Sequence, residues 1–246
     1  MPFPTQSFSP VLTPTDSTGD TSVTITVPST CKTLLGLFST PGGPWFGAGP
    51  NAVTWDAAGV NEALTQQGTP QPATSSGSTW WGQGSIWVKQ TPTAAAAKLL
   101  LFDMIPGGGG SDQIGGCAWG IDEAVTLVSN GGASFTIAGA GQQDWTITGI
   151  ATQAGDVIVS VLSDDAGSGG APTAPTILGG TSLGAVGTGA GDSWNCFGYL
   201  VATGTSTDLT WRYPSNNAGG WGTGAVKYVV LRDATPVGGG LAWIKA

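Results

Sequence analysis

Apolar and polar residues alternate with a period of two along most of this chain. Val23, Ile25 and Val27 interleave with Ser22, Thr24 and Thr26, the signature of a strand with one face in a core and the other in water. A Pro-Ser-Thr turn separates this run from Leu34-Leu35-Gly36-Leu37-Phe38, which reads as its hairpin partner. Further strand-like runs are 52–56, 84–90, 98–105, 117–123, 145–150, 156–163, 195–203, 207–213 and 225–232. In Leu99 to Ile105 both alternate sets are apolar, which predicts a strand buried on both faces. In Leu209, Trp211 and Tyr213 against Asp208, Thr210 and Arg212 one set is bulky and is assigned inward. Gly, Pro, Thr and Val interrupt every helical period outside Ala94 to Ala97. Many short strands with Gly-rich turns predict an all-β, antiparallel sandwich.

The strands repeat in order, which predicts a weak internal duplication. Val23 to Val27 and Leu34 to Phe38 match Trp145 to Gly149 and Val157 to Leu162. Ser85 to Thr93 and Lys98 to Leu101 match Phe197 to Thr205 and Leu209 to Arg212, and Ala118 to Asp122 matches Tyr228 to Arg232. The expected organisation is one sandwich domain over 21–235 with pseudo-repeats 21–128 and 144–235, joined across Ser129 to Gln143. Residues 1–20 hold four of the 16 prolines and spaced apolar residues, and read as an extended arm. Residues 236–246 read as a glycine spacer and an apolar tail. Phe3, Phe8, Val11 and Leu12 in the arm and Leu241, Trp243 and Ile244 in the tail are the candidate assembly contacts.

Composition narrows the function classes. The 246 residues include 42 Gly, seven basic and fifteen acidic side chains, with a net charge of −8. Phosphate neutralisation needs clustered Lys and Arg, and no two of the seven adjoin, so no nucleic-acid partner is expected. No window approaches the length of an apolar membrane span, and Met1 to Thr5 has neither a basic nor an apolar signal region, so synthesis in a cytoplasm without a signal peptide is expected. Histidine is absent, which removes Ser-His-Asp and Cys-His catalysis. Cys31, Cys117 and Cys196 are far apart and read as buried free thiols, with neither a disulfide framework nor a zinc site. No metal or other cofactor is expected, and no enzyme activity. The acids Asp122, Glu123, Asp164 and Asp165 read as solvated turns rather than a glycosidase pair or a calcium loop.

Eleven Trp in 246 residues bring large apolar surface and are assigned mostly to the core. Adjacent strand residues point to opposite faces, so Trp80 and Trp81 cannot share one core. With Trp45 and Trp221 in turn-rich segments they form a set of candidate surface aromatics, since indoles anchor interfaces and stack on sugar rings.

The runs Val23 to Ser29, Val53 to Asp56, Gly155 to Ser163, Gly198 to Trp211 and Tyr228 to Ala234 resemble a lectin-like, jelly-roll β-sandwich of virion proteins from tailed bacteriophages. The resemblance spans about 21–234 and rests on pattern rather than on a catalytic motif. It implies a non-enzymatic capsid decoration or tail accessory protein, located in the virion. Its partners would be a major capsid or tail protein and copies of itself; the alternative is a receptor-recognition module for a host-surface glycan.

Overall fold

A computed structural model describes residues 5–13, 21–40, 50–75, 78–104, 114–138, 141–165, 173–187, 194–214 and 221–234. Among them the chain is all-β, without helix, and its strands pair antiparallel. The strands of the first half are β1 (Thr5–Thr13), β2 (Thr21–Val27), β3 (Thr33–Thr40), β4 (Pro50–Trp55), β5 (Glu62–Ala63), β6 (Thr65–Gln66), β7 (Gln71–Ser75), β8 (Ser78–Gln90), β9 (Ala95–Met104) and β10 (Ile114–Ile121). Those of the second half are β11 (Val125–Ala138), β12 (Gln143–Ala151), β13 (Val157–Asp165), β14 (Thr176–Ile177), β15 (Thr181–Gly187), β16 (Trp194–Val201), β17 (Ser206–Tyr213) and β18 (Trp221–Asp233).

Each half builds an inner and an outer sheet. The first inner sheet runs β1-β10-β3-β8-β6, with β7 also on β8, and the first outer sheet runs β2-β9-β4-β5. The second inner sheet runs β11-β18-β13-β16-β15 and the second outer sheet β12-β17-β14. The orders correspond strand for strand, β3 with β13, β10 with β18 and β8 with β16. Register sharpens the repeat. Leu37 pairs with Ile86 and Val161 with Phe197, so Ile86, not Ser85, is the equivalent of Phe197. A one-residue slip matters because it exchanges the two faces of a strand.

Three apolar layers hold four sheets together. Val23, Val53, Trp55 and Phe102 of the first outer sheet pack on Leu34, Phe38 and Trp87. Trp145, Leu209, Trp211 and Tyr213 of the second outer sheet pack on Ile158, Leu162 and Val230. The opposite faces of the two inner sheets then meet each other, through Leu35, Leu37, Ile86 and Trp119 against Val159, Val161, Phe197 and Val229. The inner strands are therefore the ones buried on both faces, and β3 and β10 are buried at every residue.

Two expectations change here. Leu99 is 48% exposed while Leu100 and Phe102 are fully buried, because β9 lies in an outer sheet and only one of its faces has a sheet to cover it; Ile105 lies outside the described residues. The joint expected at Ser129 to Gln143 is largely strand β11, paired along β18, so the halves meet at 122–124 instead. The inward assignment of Leu209, Trp211 and Tyr213 holds, each being at most 1% exposed. Cys31, Cys117 and Cys196 are buried free thiols, and burial pushes each of their pKa values up.

Candidate functional site

Cross-contacts between the inner sheets fix how the halves are aligned. Near one end of the stack, Ser39 Oγ donates to Leu162 O and to Asn195 Oδ1, and Ser163 Oγ donates to Thr40 O. Near the other end, Thr33 Oγ1 donates to Glu123 O and Gln90 Nε2 to Val125 O. The last residues of β3 thus lie beside the last residues of β13, and both halves point the same way.

That alignment sorts the connections. Short described turns at 28–32, 91–94, 122–124, 152–156 and 202–205 close one end, held by bonds such as Thr91 N to Lys32 O and its equivalent Ala202 N to Asp156 O. Every internal stretch outside the described residues joins strand ends at the opposite end. The first and last described residues belong with the short turns: Thr5 pairs with Ile121, and Ala234 N donates to Ala124 O. The stack therefore has a terminus end and a loop end.

Three of the four candidate aromatics, Trp80, Trp81 and Trp221, belong to the loop end. Trp80 and Trp81 lie on the part of β8 that runs past Gln83, the partner of Thr40, and Trp81 pairs with Ala73. Trp221 opens β18 opposite Ala138. The two ladders are neighbours, since Gln71 Nε2 donates to Ser134 Oγ at 3.2 Å and Ser134 Oγ to Pro72 O at 2.7 Å. The side chains of Trp80, Trp81 and Trp221, and Trp45 altogether, lie outside the described residues.

The candidate assembly contacts divide in the same way. Phe8, Val11 and Leu12 stand on β1 opposite Trp119, Gly116 and Gly115 of the chain's own β10. Residues 5–13 of the arm thus form an edge strand of the first inner sheet. Phe3, Leu241, Trp243 and Ile244 lie outside the described residues.

The acids do not converge. Asp122 accepts Thr30 Oγ1 at 3.0 Å. Beside it Glu123 is held above the usual carboxylate range, first by burial and then by the charges of Asp122 and Asp233. Asp164, expected in a solvated turn, is instead fully buried at the far end of β13, where it accepts from Trp194 N, and the side chain of Asp165 lies outside the described residues. Among the described residues no group of three or more acids, Cys or His could hold a metal.

Two features went unread in the sequence. Lys227, 2% exposed, donates to Thr69 O at 2.9 Å and Asn130 Oδ1 at 3.3 Å. Burial lowers its pKa, and no ion pair to it occurs among the described residues. Its ammonium ties the 67–69 turn of the first half to the second. Gly68 belongs to this contact: its φ is +66°, and a Cβ there would stand 2.0 Å from Asn130 Oδ1. No local pattern marks Lys227, a single polar residue in the apolar run 225–231. The second feature is an open cleft of about 390 Å³ at the terminus end, between Thr65, Gln67, Val88, Lys89 and Gln90 of the first half and Leu127 of the second.

Comparison with protein-family models, with curated proteins and with solved structures finds no match for this chain.

Proposed function

We propose that the chain is a non-enzymatic structural protein of a virion, of the lectin-like, jelly-roll kind that the sequence resembles. It attaches to a capsid or tail lattice by its terminus end and turns its loop end outward. The observation that carries this reading is the opposition of the two ends: the first and last described residues lie with the short turns at one end of the four-sheet stack, and the longer connections, with Trp80, Trp81 and Trp221 beside them, lie at the other. A subunit that docks by terminal segments needs them together on one face, and loops on a rigid scaffold are where recognition is carried. Four sheets packed through three apolar clusters suit a module that bears load.

A second reading, a glycan-recognition module, is favoured by the gathering of Trp80, Trp81 and Trp221 at the loop end, because indole faces stack on sugar rings. The two readings are separated by blocking each end in turn. A folded fluorescent domain fused at residue 1 is expected to prevent incorporation into particles, and the same domain inserted at Gly107 to Gly110 to leave it intact. The reverse result removes the docking reading. Loss of host-glycan binding in Trp81→Ala or Trp221→Ala, with incorporation normal, establishes the second reading instead.

A further inference from the structure

Lys227 and Asn130 stand on the same face of neighbouring strands. Asn130 of β11 pairs with Val229 of β18, and Gly132 with Lys227, so the two residues are diagonal across the ladder, a spacing that a long side chain can bridge. The lysine does bridge it, Nζ donating to Asn130 Oδ1 at 3.3 Å. The carboxamide carbon is one bond beyond that oxygen. Three contacts hold the amine in place. Its stem runs over Gly84, where an added Cβ would stand 3.3 Å from Lys227 Cβ. The Thr69 carbonyl takes a second bond at 2.9 Å. Gly68 closes on Asn130 Oδ1 so tightly that no side chain fits between them.

The surroundings favour an uncharged amine. Among the described residues it is packed by Gly84 of β8, Val161 of β13, Asn130 of β11 and the Thr69 carbonyl. Each of these is neutral, and no carboxylate of the described residues lies within ion-pair distance. An ammonium in such a place gives up its proton more readily than one in water, and burial does lower the pKa of Lys227. The neutral form is a nucleophile held against an amide carbonyl, which replaces a bimolecular encounter by a fixed one. Asn130 itself is exposed, so ammonia released from it passes directly to water.

We infer that Lys227 and Asn130 are a self-reacting pair that forms an isopeptide cross-link between β18 and β11. Lys227 Nζ bonds to Asn130 Cγ, the Cγ–Nδ2 bond breaks, and one of the two protons of the neutral amine leaves with Nδ2 as ammonia. No oxidant or cofactor enters. No carboxyl group stands beside the pair to carry the proton, so water at the exposed rim relays it and the reaction is slow; the freshly folded chain keeps its free amine. The bond fastens β11, an edge strand of the second inner sheet, to its neighbour and closes a loop of about 100 residues in the unfolded chain. This inference is independent of the virion reading, since it is tested on free protein.

The test is the intact mass of the full-length protein, followed over days at pH 9. A progressive loss of the mass of one ammonia is expected, and protease digestion is expected to yield a branched peptide joining the segment that holds Asn130 to the one that holds Lys227. The branched peptide is read on the wild-type chain, so the result does not depend on a variant folding. Lys227→Met and Asn130→Ala are each expected to abolish both signals. The rival nucleophile for the same carbon is the backbone nitrogen of Gly131. An ammonia loss that persists in Lys227→Met would assign the reaction to that nitrogen, as a succinimide, and overturn the proposal. The mass gain of hydrolysis of Asn130 to Asp, or a mass that does not change, would overturn it as well.

Discussion

Ser39 and Ser163 occupy equivalent positions in the two halves, and each sets its hydroxyl against the backbone of the opposite inner strand. Ser39 Oγ shares its one proton between Asn195 Oδ1 at 2.6 Å and Leu162 O at 3.2 Å, and Ser163 Oγ donates to Thr40 O. Both serines are fully buried, in the layer between the inner sheets that also holds the buried side chains of Asn195 and Lys227. Ser39→Ala and Ser163→Ala should each destabilise by about 1 kcal/mol, the net worth of a neutral hydrogen bond. The check is a shift in urea midpoint at constant slope. The double variant should lose less than the sum if the two contacts hold one another in register.

Trp211 tests the second outer layer. It is 1% exposed and donates from Nε1 to Ser160 Oγ at 2.9 Å. It packs over Gly198, where an added Cβ would stand 3.3 Å from its ring. In the first half the equivalents are reversed in size: Leu100 replaces the indole on the outer sheet and Trp87 replaces the glycine on the inner one. Trp211→Ala should cost about 3–5 kcal/mol, read from thermal or denaturant unfolding.

Deleting residues 1–13 should weaken the body, since Thr5 to Thr13 pair along β10 and their removal strips a ladder from the first inner sheet. A lower melting temperature with visible aggregation is expected. An unchanged melt would show that β1 contributes no stability.

Asp156 gives the molecule an acid dependence. Burial works to raise its pKa, but two bonds from Arg232, at 2.8 and 2.7 Å, and the N–H of Gln153 outweigh it, so the carboxyl lies below its usual range. A carboxylate with a lowered folded pKa contributes stability that is present above its unfolded value and is lost as pH falls through the folded one. Asp156→Asn should therefore unfold more readily at neutral pH and lose less of its stability on acidification, as measured by urea midpoints from pH 7 to 3.

Lys227 works in the alkaline direction. With its folded pKa lowered by burial, the unfolded chain binds more protons between that value and the ordinary 10.5, so stability rises with pH across this window. Lys227→Met removes the buried charge and should flatten that slope, leaving the protein at least as stable at pH 8. A wild-type slope retained in the variant would assign the dependence to another group.

The residues themselves determine each strand and its inward face wherever one alternate set is bulky and the other hydroxylated or charged. Val23, Ile25 and Val27 did this, and so did Leu209, Trp211 and Tyr213, because burying one side of a pleated strand writes itself locally. The duplicated strand order was legible for the same reason. The layer a strand occupies was not: Leu99 and Leu35 look alike in sequence, and only the second sheet standing over β3 buries one and leaves the other exposed. Nor could spacing show that the first and last described residues share one end, or that Trp80, Trp81 and Trp221 lie toward the other. Those relations depend on which sheets face each other and in what direction. They are set by long-range packing between residues more than a hundred positions apart, and only the tertiary structure brings such residues together.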